Sequence, residues 1–172
     1  MKKMAKLAMT VMFFLFAFGI IVDNPAYAAE SFSLCGPSGG LGGNNFHDGQ
    51  TGGRRIKEVR IYSGAYIDSI QVIYTDQMNQ TIAGSKHGGP GGNLSVLILA
   101  PDEYITTVGG KYGSFVDSLF MKTSKGKVKK WGGAGGTVDF YFSVPPGTSI
   151  HGFFGRAGKY VDSVGVIMKT IK

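Results

Sequence analysis

The sequence predicts an all-β protein of one domain, in which the chain folds three copies of a single unit. Three observations carry this. Beyond the N-terminal leader no stretch sustains a 3.6-residue apolar period, so helices are not expected. Glycine supplies 28 of the 172 residues, prolines number six and there is no G-X-Y period, which excludes collagen. Turn residues instead recur about every 8–12 positions, the spacing of short strands in a sandwich or barrel. Finally, two unrelated motifs recur three times in a fixed phase. The length suits one domain with a core of its own. The 43% apolar share argues against disorder. The single Cys35 excludes an intramolecular disulfide framework and a four-cysteine zinc site, and reads as an inert free thiol or an intermolecular link.

Taken in order, the first element is an address. Lys2, Lys3 and Lys6 precede an uncharged, mainly apolar run from Leu7 to Val22, and Pro25 then breaks the pattern. Ala26-Tyr27-Ala28 gives a small-x-small cleavage pattern, so residues 1–28 read as a cleaved signal peptide and 29–172 as the mature domain. The run is short for a membrane span and no second one follows, so stable membrane insertion is not expected. The mature chain is then secreted, extracellular or periplasmic. Losing three lysines and Asp23 lowers the formal charge from +7 to about +5, which is mildly basic and selects no partner by itself.

The strands follow. Residues 56–62 mix apolar and charged positions, 67–74 alternate with β-branched residues, and 94–99 are an apolar run. Residues 104–108, 116–121, 138–144, 149–154 and 161–168 read similarly. Four strands per unit gives about twelve in all, since the repeat of roughly 45–49 residues recurs three times. A three-bladed propeller would leave too small a ring; three sheets packed as the faces of a prism close better around one core.

The repeat is carried by its loops. Gly-Gly-x-Gly-Gly occurs at residues 39–43, 88–92 and 132–136. Gly-x-aromatic-β-branched-Asp-Ser occurs at 64–69, 113–118 and 158–163, with Asp68, Asp117 and Asp162 at the fifth position. From each glycine loop to the next Asp the distance is 29, 29 and 30 residues. The glycine loop offers backbone N–H donors that a ligand can approach closely. The Asp turn offers one carboxylate beside further backbone donors. That set matches vicinal sugar hydroxyls, each both donor and acceptor, and a bond to a charged group contributes about 1.5–3 kcal/mol. One such motif by itself is more often only a hairpin turn with a self-capping Asp.

On these paired motifs the whole mature chain resembles the jacalin-related lectins of the mannose-binding type. The resemblance implies a β-prism I fold, with three four-stranded antiparallel sheets about a pseudo-threefold axis, and binding of mannose- or glucose-type glycans. It implies that each Asp pairs with the last glycine of a neighbouring loop: Asp68 with Gly92, Asp117 with Gly136 and Asp162 with Gly43. Ala65-Tyr66, Ser114-Phe115 and Gly158-Lys159-Tyr160 would complete the sites. The Asp162–Gly43 pair is the site the resemblance supports best. Phe115 stands where the other two copies have tyrosine, and Ser38, His87 and Trp131 differ before the three loops, so the sites need not be equal. Trp131 suits a sugar face or a core position equally.

Other chemistry is not indicated. Asp68, Asp117 and Asp162 belong to different units, so they are not expected to converge as a glycosidase pair, and the remaining acids form no paired motif. His47, His87 and His151 lack metal spacing, Gly158-Lys159 lacks the rest of a phosphate-binding loop, and no cofactor is demanded. Nucleic acid is not expected of an exported chain without a recognised binding motif. Homo-oligomerisation is left open. The alternative to a lectin is an adhesion module that binds anionic glycans or surfaces through Lys122–Lys130, where five of nine residues are lysine.

Overall fold

The structure is a computed structural model that describes residues 30–50 and 52–171. The leader and its cleavage point lie outside the described residues. Twelve strands are present among those described: β1 (Phe32–Gly39), β2 (Asn44–His47), β3 (Arg55–Ser63), β4 (Ile67–Thr75), β5 (Thr81–Gly88), β6 (Asn93–Ile98), β7 (Ile105–Tyr112), β8 (Val116–Thr123), β9 (Val128–Gly132), β10 (Val138–Ser143), β11 (Thr148–Ala157) and β12 (Val161–Thr170). All pairings are antiparallel.

The strands form three equivalent four-stranded faces, in the orders β5-β4-β3-β6, β9-β8-β7-β10 and β1-β12-β11-β2. The molecule is therefore the expected β-prism. The second and third faces are joined by one residue pair, Ile105 with Ile150, so their ladders run on as eight strands. The first two faces are contiguous in sequence. The third is assembled from both ends of the described chain, β1 lying against β12 from Phe32–Lys169 to Gly39–Ser163.

One core fills the prism, and the repeat appears in it as layers. Ile67, Val116 and Val161 form one, Ile70, Leu119 and Val164 the next, and Val72, Met121 and Val166 a third, none more than 2% exposed. Burying each such side chain contributes about 1.5–3 kcal/mol. Eight strands fall on the segments the sequence marks. The other four, β1, β2, β5 and β9, flank the glycine loops as outer strands and are largely exposed, so they carry little apolar alternation. Trp131 is 6% exposed and belongs to the core cluster, which removes it from the candidates for stacking on a sugar. Among the described residues no helix is long and apolar enough to cross a membrane.

Candidate functional site

Each Asp stands at a β-bulge. Tyr62 pairs with Ser69 and Ser63 with Ile67, so Asp68 has no partner across the ladder. Lys111–Ser118 and Tyr112–Val116 skip Asp117 in the same way, and Arg156–Ser163 and Ala157–Val161 skip Asp162. A bulge bends its strand and re-aims the extra side chain. The preceding turn is closed identically three times: the Gly64, Gly113 and Gly158 amides donate to the carbonyls of Tyr66, Phe115 and Tyr160 at 3.0, 3.0 and 2.9 Å.

Each carboxylate is turned onto one glycine loop, and each loop is fastened by its second amide. Gly89 donates to the Asp68 carbonyl at 3.0 Å, Gly133 to that of Asp117 at 3.0 Å and Gly40 to that of Asp162 at 2.8 Å. The first and last glycines of every loop have positive φ, from 60° at Gly43 to 139° at Gly39, a region L side chains avoid. A Cβ on the last glycine would come within 2.5 Å of Oδ2 of Asp68 at Gly92 and of Asp162 at Gly43, and within 3.0 Å of Asp117 Oδ2 at Gly136. The fourth glycine is as tight: a Cβ at Gly42, Gly91 or Gly135 would overlap Oδ1 of Asp162, Asp68 or Asp117. Sequence reasoning singled out only the last glycine, although the fourth has the same signal. The N–H groups of Gly43, Gly92 and Gly136 have no acceptor among the described residues.

The carboxylates are nearly covered, at 8% exposure for Asp68, 6% for Asp117 and 3% for Asp162. Oδ2 of Asp117 and of Asp162 is buried without a hydrogen-bond partner. Burial accordingly pushes the Asp162 carboxyl above the usual aspartate range, while the Gly158 and Asp162 amides and the Arg156 charge pull the other way.

The loop residues between glycine and Asp also make contacts beyond their own turn. Tyr66, Phe115 and Tyr160 turn toward one another, with ring centroids 5.5, 5.0 and 5.1 Å apart around the pseudo-threefold axis. The exposed Ala65, Ser114 and Lys159 lie against the second glycine of a different loop, at Gly133, Gly40 and Gly89, where a Cβ would meet their carbonyls. Gly158 lies against Gly43, its own site's loop. The three Asp loops thus converge at one end of the prism, interlocked in a ring, while each carboxylate keeps to its own glycine cradle.

Arg156 breaks the symmetry, and the sequence did not single it out. Its Nε donates to the Gly42 carbonyl, its Nη2 to the Gly43 carbonyl and its Nη1 to Asn45 Oδ1, each at 2.7 Å. Lys111 and Tyr62 hold the equivalent register positions in the other faces.

The remaining candidates have structural partners. In the lysine run, Lys125 pairs with Asp102 at 2.6 Å, and Lys127 reaches Glu103 at 3.1 Å and the Ile98 carbonyl at 2.9 Å. Lys129 donates to the Val96 carbonyl at 2.7 Å, so Lys127 and Lys129 cover the free edge of β6. Of the run, Lys122 and Lys130 are left to solvent. His87 Nε2 lies 2.7 Å from Asp48 Oδ1 and stacks on Phe46, anchoring β5 to β2. Among the described residues no group of three His, Cys, Asp or Glu is placed to hold a metal ion. Cys35 is half-buried against the core.

Residues 35–167 match the model of the jacalin-like lectin domain. Horcolin of Hordeum vulgare is 38% identical over 136 residues, spanning 76% of this chain and 92% of its own. A mannose/glucose-specific lectin of Parkia pendula is 32% identical over 167 residues, spanning 91% of this chain and 36% of its own. Among solved structures, artocarpin in complex with mannotriose superimposes with a TM-score of 0.71 at 30% identity, covering 79% of this chain and 96% of that one.

Proposed function

The chain belongs to the jacalin-like lectin family, carbohydrate-binding proteins without catalytic activity, and on that premise we propose that it is an exported lectin for mannose- or glucose-type glycans with three sites at one end of the prism. The observation that carries this reading is the threefold cradle: a nearly covered Asp carboxylate, a glycine loop that no side chain could replace, and a loop amide without an acceptor. Folding has already stripped water from the carboxylate, so a sugar hydroxyl that donates to it meets little competition. The hydroxyl in turn accepts from the Gly43, Gly92 or Gly136 amide. The Parkia lectin's name and artocarpin's bound mannotriose support the sugar class. The leader supports export.

Three sites on one rigid end would gain ~10²–10⁴ in avidity for a glycan surface that spans them. The test is a glycan array probed with the protein and with an Asp68/Asp117/Asp162→Ala variant whose fold is checked by circular dichroism. Mannose- or glucose-terminated hits are expected, competed by free monosaccharide, insensitive to salt and absent in the variant. Hits confined to sulfated or acidic glycans and unchanged in the variant would overturn the reading.

A further inference from the structure

At the pole opposite the Asp loops lies a cavity of ≈ 290 Å³ that the sugar sites do not use. Its wall gathers the first residues of β3 and β11, the last of β12 and the segment leading into β7. The floor is apolar, with Ile56, Leu99 and Ile150 at 5, 4 and 2% exposure and Ile171 beside them. Polar groups line one side.

Three carboxylates and three cations line that side, but they do not pair one with one. Each carboxylate has its own donors. Glu30 takes the Lys169 ammonium at 3.2 Å and the Gly53 amide at 3.1 Å. Asp102 takes Lys125 at 2.6 Å, and Glu103 takes Thr123, Lys127 and the Ala100 amide. Lys169 turns its remaining reach to the Arg54 carbonyl at 3.0 Å. Arg54 and Arg55 are left over: among the described residues neither makes an ion pair, and Arg55 Nη1 is buried without an acceptor. A buried guanidinium N–H without a partner is costly, and its planar fork matches a carboxylate. The lining charges already balance, three carboxylates against Arg54, Arg55 and Lys169, so a dianion would leave an excess of two negative charges. The volume sits at the lower edge of ligand pockets, roughly 300–1,000 Å³, which favours a small molecule over a polymer.

We infer that this polar cavity is a second binding site, which takes a small organic monocarboxylate with its anionic end on Arg55 and its apolar body on Ile56, Leu99 and Ile150. The site is independent of the sugar cradles: β3, β11 and β12 reach both poles, but no residue lines both.

The experiment is an NMR titration of the purified protein with sodium hexanoate, with hexan-1-ol and inorganic sulfate as comparison probes. Saturable binding of hexanoate is expected, with shifts at the Ile56, Ile150 and Ile171 methyls and none at Ala65. Hexan-1-ol should bind at least about tenfold more weakly, the worth of one charge-assisted bond. Arg55→Gln should weaken hexanoate by a similar factor, Arg55→Lys less, and the Asp68/Asp117/Asp162→Ala variant not at all. Absence of saturable binding, equal affinity for the alcohol, tighter binding of sulfate, or indifference to Arg55→Gln would overturn the inference. Should Arg55→Gln fail to fold, the methyl shifts in the unsubstituted protein decide. Failure of the sugar-binding reading would leave every one of these readouts unchanged.

Discussion

Asp162 is 3% exposed, its Oδ2 has no partner, and burial raises its carboxyl above the usual aspartate range. The sign of the consequence follows from linkage. A carboxyl that holds its proton more tightly in the folded state costs nothing well below the unfolded value, near 3.9, where both states are neutral. The cost enters as pH rises through the unfolded and then the folded value, and is complete at neutral pH. Asp162→Asn keeps the shape and removes the charge, so it should raise the melting temperature near neutrality. The gain should vanish at a pH of about 3, where Asp162 is neutral in both states. The same substitution should abolish sugar binding at that site. Scanning calorimetry at the two pH values, beside a sugar titration, checks both halves; a destabilised variant at neutral pH would contradict the argument. The Asp162 charge is then one the fold would be more stable without. The sequence exposes this carboxylate through its place in a thrice-repeated motif. It does not expose the missing partner, which depends on where the Gly42 and Gly43 backbone closes in space.

The hairpins and loops set how well each cradle is held. Repetition in the sequence made the Asp hairpins legible, because Ile67, Val116 and Val161 all fill the core beside a turn closed the same way three times. The bulges at Asp68, Asp117 and Asp162 were not legible, since an extra residue in one strand shows only against its partner strand. The outer strands β1, β2, β5 and β9 escaped for a related reason: each is held by one neighbouring strand and buries few side chains. The lysine run shows the reverse case, a charge pattern that suggests a partner surface while Lys127 and Lys129 fold back as an edge cover for β6. Arg156 ties β11 to the 39–43 loop through three bonds that neither Lys111 nor Tyr62 reproduces. Preorganisation of this kind lowers the cost of ordering a loop on binding. Arg156→Ala should therefore weaken sugar binding at the Asp162 site by about tenfold, the equivalent of one charge-assisted bond. Calorimetric titration in an Asp68→Ala/Asp117→Ala background isolates that site, and an unchanged affinity there would show that the clamp only supports the fold.

At the scale of the whole molecule, the period of the motifs announces three units but not where their axis runs or which loop serves which face. The structure places the axis through Tyr66, Phe115 and Tyr160, and the chain closes the third face by pairing β1 with β12. These rings, read from sequence as completing three sites, also meet one another as one hub. Each ring touches the other two, and each Asp loop leans on the glycine loop of another site through Ala65, Ser114 or Lys159. The three cradles are therefore mechanically joined, and a change at one ring is felt at sites whose own residues are intact. Phe115 makes two ring contacts, at 5.5 and 5.0 Å, each worth about 0.5–1.5 kcal/mol beyond its area. Phe115→Ala should lower stability by about 2 kcal/mol. It should also weaken binding at the Asp68 and Asp162 sites, which Asp117→Ala leaves unaltered. Phe115→Tyr, which restores the ring found in the other two copies, should leave both properties near their original values. Thermal melting, together with sugar titrations of the two alanine variants, separates the cases. If Phe115→Ala and Asp117→Ala affect the other two sites equally little, the rings are filler on the axis and the sites are independent. If only the ring variant reaches them, the aromatic hub is what makes three weak cradles one rigid surface, and the avidity of that surface depends on the axis as much as on any carboxylate.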